Sequence, residues 1–464
     1  MSTTETRTSG AQKLSMPTLT AMVVGSMVGA GVFSLPRNFA QATGVFGAVV
    51  AWAVAGFGML MLAFVFQALA VRKPDLNAGV YAYAKAGFGE FPGFYSAFGY
   101  WASACVGNVT YWVLIKSTIG AVVPSFGEGD TILAVVVSIV GVWAFHYMIT
   151  RGVKEAAAIN RIVTVAKLVP IVMFVVILAV TFKAGVFRLN LWGDGPLFDQ
   201  VRATMLVTVF VFLGVEGASV YSRYARRRED VGRATVLGFV SVLALFAAVT
   251  LLSYAALPKA QLEGLRQPSM AGVLEAVVGP WGALLISVGL IVSVLGAYLA
   301  WTLMSAEVLY VAAKDDDMPG FLRRENGHGA PINALIMTSA LITAVLVVTL
   351  FSEDAFSFTL KLTSALSLIP YLLAAGYAFR ISEGRQLVVP GLAVLYTLFL
   401  IVAAGLEFLL LSCIVYGLGT FLFVQTRREH GRRVFSPAEL ALFVVVAAGA
   451  VVGVVGLATG FITI

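Results

Sequence analysis

The chain has 464 residues, of which 59% are hydrophobic and 12% charged, with a formal net charge of +7. Its mean hydropathy of +0.93 exceeds that of a water-soluble domain of this size, so lipid is the solvent for most of the chain. The basic excess reads as loop bias and contact with anionic membrane lipids; no nucleic-acid-binding motif accompanies it, which excludes that class of partner.

A helix needs about 20 apolar residues to cross the hydrocarbon. The polar residues 1–16 form an N-terminal tail that leads straight into a full-length span, so this start reads as a retained anchor rather than a cleaved signal. Candidate spans follow at 17–42, 46–70, 93–118, 131–150, 160–182, 201–222, 234–255, 280–312, 331–351, 356–379, 388–404, 406–425 and 438–462, giving 12–13 crossings according to whether the last is complete. Arg72, Lys73 and Lys85 after the second span, Arg151, Lys154 and Arg161 after the fourth, and Arg223, Arg226, Arg227, Arg228 and Arg233 after the sixth share one side. Lys314, Arg323, Arg324, Arg380, Arg385, Arg427, Arg428, Arg432 and Arg433 keep the same parity. The positive-inside bias makes that side cytoplasmic, with the N-terminus inside and the protein multi-pass in the cell inner (plasma) membrane.

Two spans carry interruptions. The first contains Gly29-Ala30-Gly31, and the sixth contains Gly214 followed by Glu216 in FLGVEGASVY. Broken backbone and charge are costly at membrane depth, so such features in corresponding positions of two halves predict a substrate site near the bilayer midplane. Spans 1–5 (17–182) and 6–10 (201–380) therefore read as a five-plus-five inverted repeat, with 386–464 as additional C-terminal helices. The predicted fold is an all-α polytopic membrane protein with discontinuous helices 1 and 6. A helix break leaves N–H groups at the start of one half and carbonyls at the end of the other, which suits the carboxylate and ammonium of an amino acid. Close packing of small residues is the alternative reading of GSMVGAG.

Other polar residues have simpler readings. Lys116 and Lys361 are expected to snorkel at the outer ends of their spans. Cys105 and Cys413 read as small packing residues without metal-ligand spacing. His146, His328 and His430 are scattered near cytoplasmic ends, and Asp315, Asp316 and Asp317 read as a solvated turn. Neither a metal site nor a cofactor is expected. HExxH and GxSxG are absent from the sequence, which argues against an enzyme.

GSMVGAGVFSLP, ALAVRKPDLNAGVYAYAKAGFG, GYWASACVGN, FLGVEGASVYS, EAVVGPWGALLISVGLIVS and AEVLYVAAKDDDMP, in this order along the chain, resemble the basic amino acid antiporters of the amino acid–polyamine–organocation superfamily. The resemblance implies a LeuT-like fold and electroneutral exchange of cationic amino acids, above all arginine for ornithine, by alternating access. A proton-coupled transporter of lysine, another cationic amino acid or a polyamine is the rival.

By resemblance, the substrate carboxylate meets the amides around Ala30 and Gly31, and the α-amino group meets carbonyls of Met27, Phe210 and Leu213. Related arginine–agmatine exchangers carry a serine at the place of Ala30, and family members often carry Trp at that of Phe210. The cationic side chain meets Phe210, Trp301, Tyr100 and Asn108, with Thr363 or Ser364 completing its pocket. Glu216 tunes protonation or gating. In proton-coupled relatives a lysine placed like Lys167 braces span 1 in place of a sodium ion. Dimers occur among related exchangers, so a homodimer is a possible assembly.

Overall fold

The computed structural model describes residues 15–76, 79–151, 156–216 and 228–463. The tail up to residue 14, Lys154, Arg223, Arg226, Arg227 and the sixth span beyond Glu216 lie outside them. Among the described residues the structure is helical, and the β pairing is an isolated bridge between Glu325 and Pro331.

In chain order the helices are α1 (Met16–Met27), α2 (Leu35–Ala42), α3 (Val45–Arg72), α4 (Val80–Phe88), α5 (Glu90–Gly120), α6 (Ile132–Thr150), α7 (Ala156–Val180), α8 (Ala184–Leu189) and α9 (Leu197–Phe212). They continue as α10 (Arg228–Ala256), α11 (Lys259–Glu263), α12 (Ser269–Val278), α13 (Pro280–Lys314), α14 (Ile332–Val348), α15 (Ala355–Arg380), α16 (Val388–Glu429) and α17 (Pro437–Thr459). Among the described residues, eight helical segments are each long and apolar enough to cross a membrane, or up to nine if the bent pair in the first span counts as one. The remaining expected spans appear as helices that are shorter, carry more charge or run into undescribed residues. α16 contains two expected spans in one piece, meeting at Gly405, whose φ of 75° bends the helix without a loop. The short helices α4, α8, α11 and α12 lie between expected spans and carry too few apolar residues to have been marked as crossings.

Local sequence explains the helix ends. Pro17 and Pro280 sit in the first turns of α1 and α13, where a missing N–H costs nothing. Thr131 and Asp354 cap α6 and α15 by accepting from Ala134 N–H and Ser357 N–H. Ser436 and Glu439 form a reciprocal capping box at α17. Pro370 inside α15 withholds an N–H from the Leu366 carbonyl, and the Tyr416 hydroxyl on α16 donates to that carbonyl at 2.9 Å instead.

Burial separates centre from rim. α5 is buried along almost its whole length and packs against α13 and α15. The most apolar stretch of α15 is 72% buried, whereas that of α17 is 11% buried, so α17 lies at the lipid-facing edge against α16. Around α5 and α15 are arranged the two interrupted spans, with α1 packed on α10 and α9 on α3.

In the first span, α1 stops at Met27, Val28 and Gly29 are extended, and a short 3₁₀ turn over Ala30–Ser34 leads into α2, with a 48° bend between the two halves. In the sixth, α9 stops at Phe212 and Leu213–Glu216 form a turn in which Gly214 has φ of 102°. A side chain at Gly214 would be strained by that φ and would drive a Cβ into the carbonyl of Ser26. Gly214→Ala is therefore expected to cost about 1–3 kcal/mol. A thermal unfolding midpoint of the purified variant equal to that of the wild type would show that the turn tolerates a side chain.

Candidate functional site

The two interruptions meet. The Ser26 hydroxyl, in the last turn of α1, lies 2.8 Å from the Val23 carbonyl and 3.1 Å from the Gly214 carbonyl of the other break. Gly31 lets the segments touch, since a Cβ there would stand 2.7 Å from Val211 and 2.8 Å from the Phe210 ring. Around the junction lies a cavity with about 510 Å³ of space unfilled by atoms. Its walls come from the first break (Met27, Gly29, Ala30, Gly31), from α9 and its turn (Phe210, Leu213), from α5 (Tyr100, Tyr111), and from Trp301 on α13 and Thr363 on α15.

Eight of the ten residues expected to touch substrate line this cavity: Met27, Ala30, Gly31, Tyr100, Phe210, Leu213, Trp301 and Thr363. Asn108 and Ser364 do not. Asn108 is buried one position beyond the lining Gly107; its Nδ2 donates to Thr302 at 3.2 Å, and its Oδ1 has no hydrogen-bond partner among the described residues. Ser364 turns away, donating to the Leu206 carbonyl at 2.6 Å and so tying α15 to α9. Of the expected break glycines, Gly214 occupies the turn and Gly29 the extended link, whereas Gly31 lies within the 3₁₀ turn and serves close approach.

Glu216 and Lys167 bind the breaks to the surrounding helices. Glu216 is 6% exposed; Tyr100 donates to its Oε1 at 2.7 Å, while Tyr371 at 2.7 Å and the Gly214 N–H at 3.2 Å donate to its Oε2. Three donors from three segments thus converge on one carboxyl group, which is held behind the cavity wall formed by Tyr100. Lys167 on α7 reaches across to the Gly25 carbonyl at 2.5 Å, satisfying one of the last carbonyls of α1.

Sequence reasoning missed Ser26, Tyr111 and Tyr371. Ser26 was hidden in a small-residue run that reads equally as packing. Tyr111 follows the lining Gly107 by one turn, a spacing that the sequence does contain.

Two simpler readings need correction. Lys116 does not reach the surface: it is 1% exposed and its Nζ lacks a hydrogen-bond partner among the described residues. The helix runs on to Gly120, and Gly129 of the following turn closes over it, leaving room for no side chain of its own. Lys361 is half-buried over the Phe408 ring. The Asp315–Asp317 turn is only partly solvated. Asp317 is 6% exposed, accepting from Tyr81 at 2.5 Å and Lys85 at 2.6 Å. Its burial raises its carboxyl pKa against the opposing pull of Lys85 and Tyr81. Asp316 pairs with Arg323 at 2.5 Å and His430 at 3.2 Å. The chain reverses sharply at Asp316, whose φ is 61°, and this sends adjacent carboxylates to opposite partners. Among the described residues no group of three or more His, Cys, Asp or Glu side chains is arranged to hold a metal ion.

Residues 14–449 match the family model for amino acid permeases. The chain belongs to the amino acid permease family. It is 47% identical to a protein of Pseudomonas aeruginosa named arginine/ornithine antiporter, over 98% of this chain and 99% of that one. It is 38% identical to an L-lysine transport protein of Corynebacterium glutamicum, over 97% and 96% of the two chains, and 36% identical to an arginine/agmatine antiporter of Chlamydia caviae, over 92% and 93%. The permease is thus a polytopic membrane transporter rather than an enzyme, and its cavity lies where the break in the first span meets the turn that ends α9.

The carboxyl of Glu216 supplies a direct check on this geometry. Tyr371→Phe removes one of its donors while keeping the ring against Phe66, and hydrogen bonds to charged groups are worth about 1.5–3 kcal/mol. A loss of stability of that size, read as a lowered thermal unfolding midpoint in detergent, is expected, and an unchanged midpoint would mean that the Tyr371 hydroxyl does not hold Glu216.

Proposed function

We propose that this permease exchanges arginine for ornithine across the cell inner membrane by alternating access. The observation that carries the reading is the composition of the cavity wall: two helix breaks beside the rings of Tyr100, Tyr111, Phe210 and Trp301, with no carboxylate among the described lining residues. A site of this kind takes a zwitterionic backbone at the breaks and a delocalised or tetrahedral cation on aromatic faces, without burying a permanent counter-charge. The names of the relatives from Pseudomonas and Chlamydia support cationic substrates.

On this reading the substrate carboxylate faces the N–H groups at Ala30 and Gly31, which have no intrahelical acceptor by their position at a helix start. Its α-amino group faces carbonyls of Met27, Phe210 and Leu213. Asn108 lies behind the wall, where its Nδ2 donates to Thr302 and supports the face of α5 that carries Tyr100 and Tyr111. Thr363 completes the wall, Ser364 supports it from behind, Glu216 couples α5 and α15 to the break in the sixth span, and Lys167 braces α1. The two five-span halves, 17–182 and 201–380, are inverted repeats, and the arginine-rich side is cytoplasmic. Arginine and ornithine carry the same net charge, so one-for-one exchange avoids the cost of about 2.3 kcal/mol per 100 mV that a lone charge meets.

Uptake of labelled arginine into proteoliposomes tests the function. Vesicles preloaded with ornithine or arginine should accumulate label, empty vesicles should not, and lysine loading should support less uptake than ornithine. Rapid uphill accumulation into empty vesicles along a pH gradient would replace exchange with proton coupling. Within the site, loss of a cation–π face is worth about 1–2 kcal/mol, so Trp301→Ala should raise the KM for arginine by roughly five- to thirtyfold. A KM unchanged in that variant would remove Trp301 from the pocket.

A further inference from the structure

A second crevice lies away from the substrate cavity, at the arginine-rich ends of α3, α15 and α16. It contains about 890 Å³ of unfilled space. Phe64, Gln67, Ala68 and Val389 are among its partly exposed lining residues, Val65 and Leu69 are buried behind them, and Arg72, Ser382 and Gln386 add polar groups. On α3, Phe64 and Arg72 are eight residues apart, so the crevice runs about 12 Å along this helix, with Gln67 the one polar side chain of α3 between them.

Arg72 is exposed but fixed in direction. Its Nη1 donates to Ser382 at 3.3 Å and its Nη2 to Gln386 at 2.7 Å, both neutral partners from the α15–α16 side. Among the described residues no carboxylate lies within ion-pairing distance of it, in contrast to Arg427, which pairs with Glu90 and Glu439 at 3.0 Å. A held guanidinium with N–H groups to spare and no counter-charge recognises an anionic oxygen. The apolar wall beneath it accepts hydrocarbon.

The geometry points to a binding site for an anionic phospholipid, its phosphate on Arg72 beside Ser382 and Gln386 and its acyl chain along Phe64, Ala68 and Val389 between α3, α15 and α16. The membrane supplies this ligand, and a free anion would leave the apolar wall uncovered. The site is independent of the transported substrate, because none of these residues lines the central cavity.

Native mass spectrometry of the full chain, purified in detergent and titrated with phosphatidylglycerol or phosphatidylcholine of the same acyl chains, tests the assignment. One arginine near an anionic lipid is worth about fivefold in binding, so the wild type should retain about fivefold more phosphatidylglycerol than phosphatidylcholine at equal concentration. Arg72→Gln should abolish that preference, and Ala68→Phe, which fills the crevice, should reduce retention of both lipids. Arg433→Gln, at an exposed arginine elsewhere on the same side, should behave as wild type. Thermal unfolding midpoints establish that each variant is folded. Equal retention of the two lipids by the wild type, a preference that survives Arg72→Gln, or unchanged retention in Ala68→Phe each overturns the proposal.

Discussion

The contact on which the centre of this molecule depends is between two pieces of backbone that have left the helix. In the hydrocarbon an unpaired N–H or C=O costs several kcal/mol, so a spanning helix can open only where something else satisfies what it releases. Here each break does part of that work for the other. The Ser26 hydroxyl lies between the Val23 and Gly214 carbonyls, and the Gly214 N–H turns inward to Glu216. Gly31 and Gly214 are glycine because the segments approach so closely that a Cβ at either would enter the opposite chain. The small-residue packing and the broken helices that GSMVGAG suggests are therefore one arrangement.

Glu216 and Lys167 follow from the same constraint. A carboxyl and an amine at membrane depth are tolerated where they replace missing hydrogen bonds. Glu216 accepts from α5, α15 and the turn after α9; Lys167 donates to a terminal carbonyl of α1. Each links an interrupted span to a continuous one.

This explains what could be read in advance. Long apolar runs depend on composition, so the membrane-crossing helices were visible, as were the interruptions, because Gly29, Gly31, Gly214 and Glu216 contradict their surroundings. Family resemblance supplied Phe210, Trp301, Tyr100 and Thr363, all of which reach the cavity. Helix-face direction was the weak point. Thr363 and Ser364 are adjacent, and their 100° difference in direction puts one at the cavity and the other on the Leu206 carbonyl. Lys116 was misread because burial near a helix end depends on what folds over it, and the turn carrying Gly129 has no apolar signal. Asp317 was misread for a similar reason: its partners Tyr81 and Lys85 are on α4, more than 230 positions away.

Beyond the first break, the half-helix α2 is held by a different kind of contact from α1. The segment between α11 and α12 folds across it: the Gln267 side chain donates to Asn38 at 3.2 Å, and the Ser269 hydroxyl accepts from the Arg37 N–H at 3.2 Å. The same segment is fastened to the end of α5, where the Ser117 hydroxyl donates to the Gln267 carbonyl at 2.5 Å and Arg266 donates to the Ser117 carbonyl at 3.1 Å. These bonds join neutral groups or one guanidinium among side chains that are buried at Asn38, Ser117, Gln267 and Ser269, and each is worth about 1 kcal/mol net. The bonds of Glu216 and Lys167 instead fasten the breaks themselves to the surrounding helices. The half-helix α2 is thus held to its cover and to the end of α5 through neutral groups and a guanidinium, whereas the breaks are held by a carboxyl and an amine.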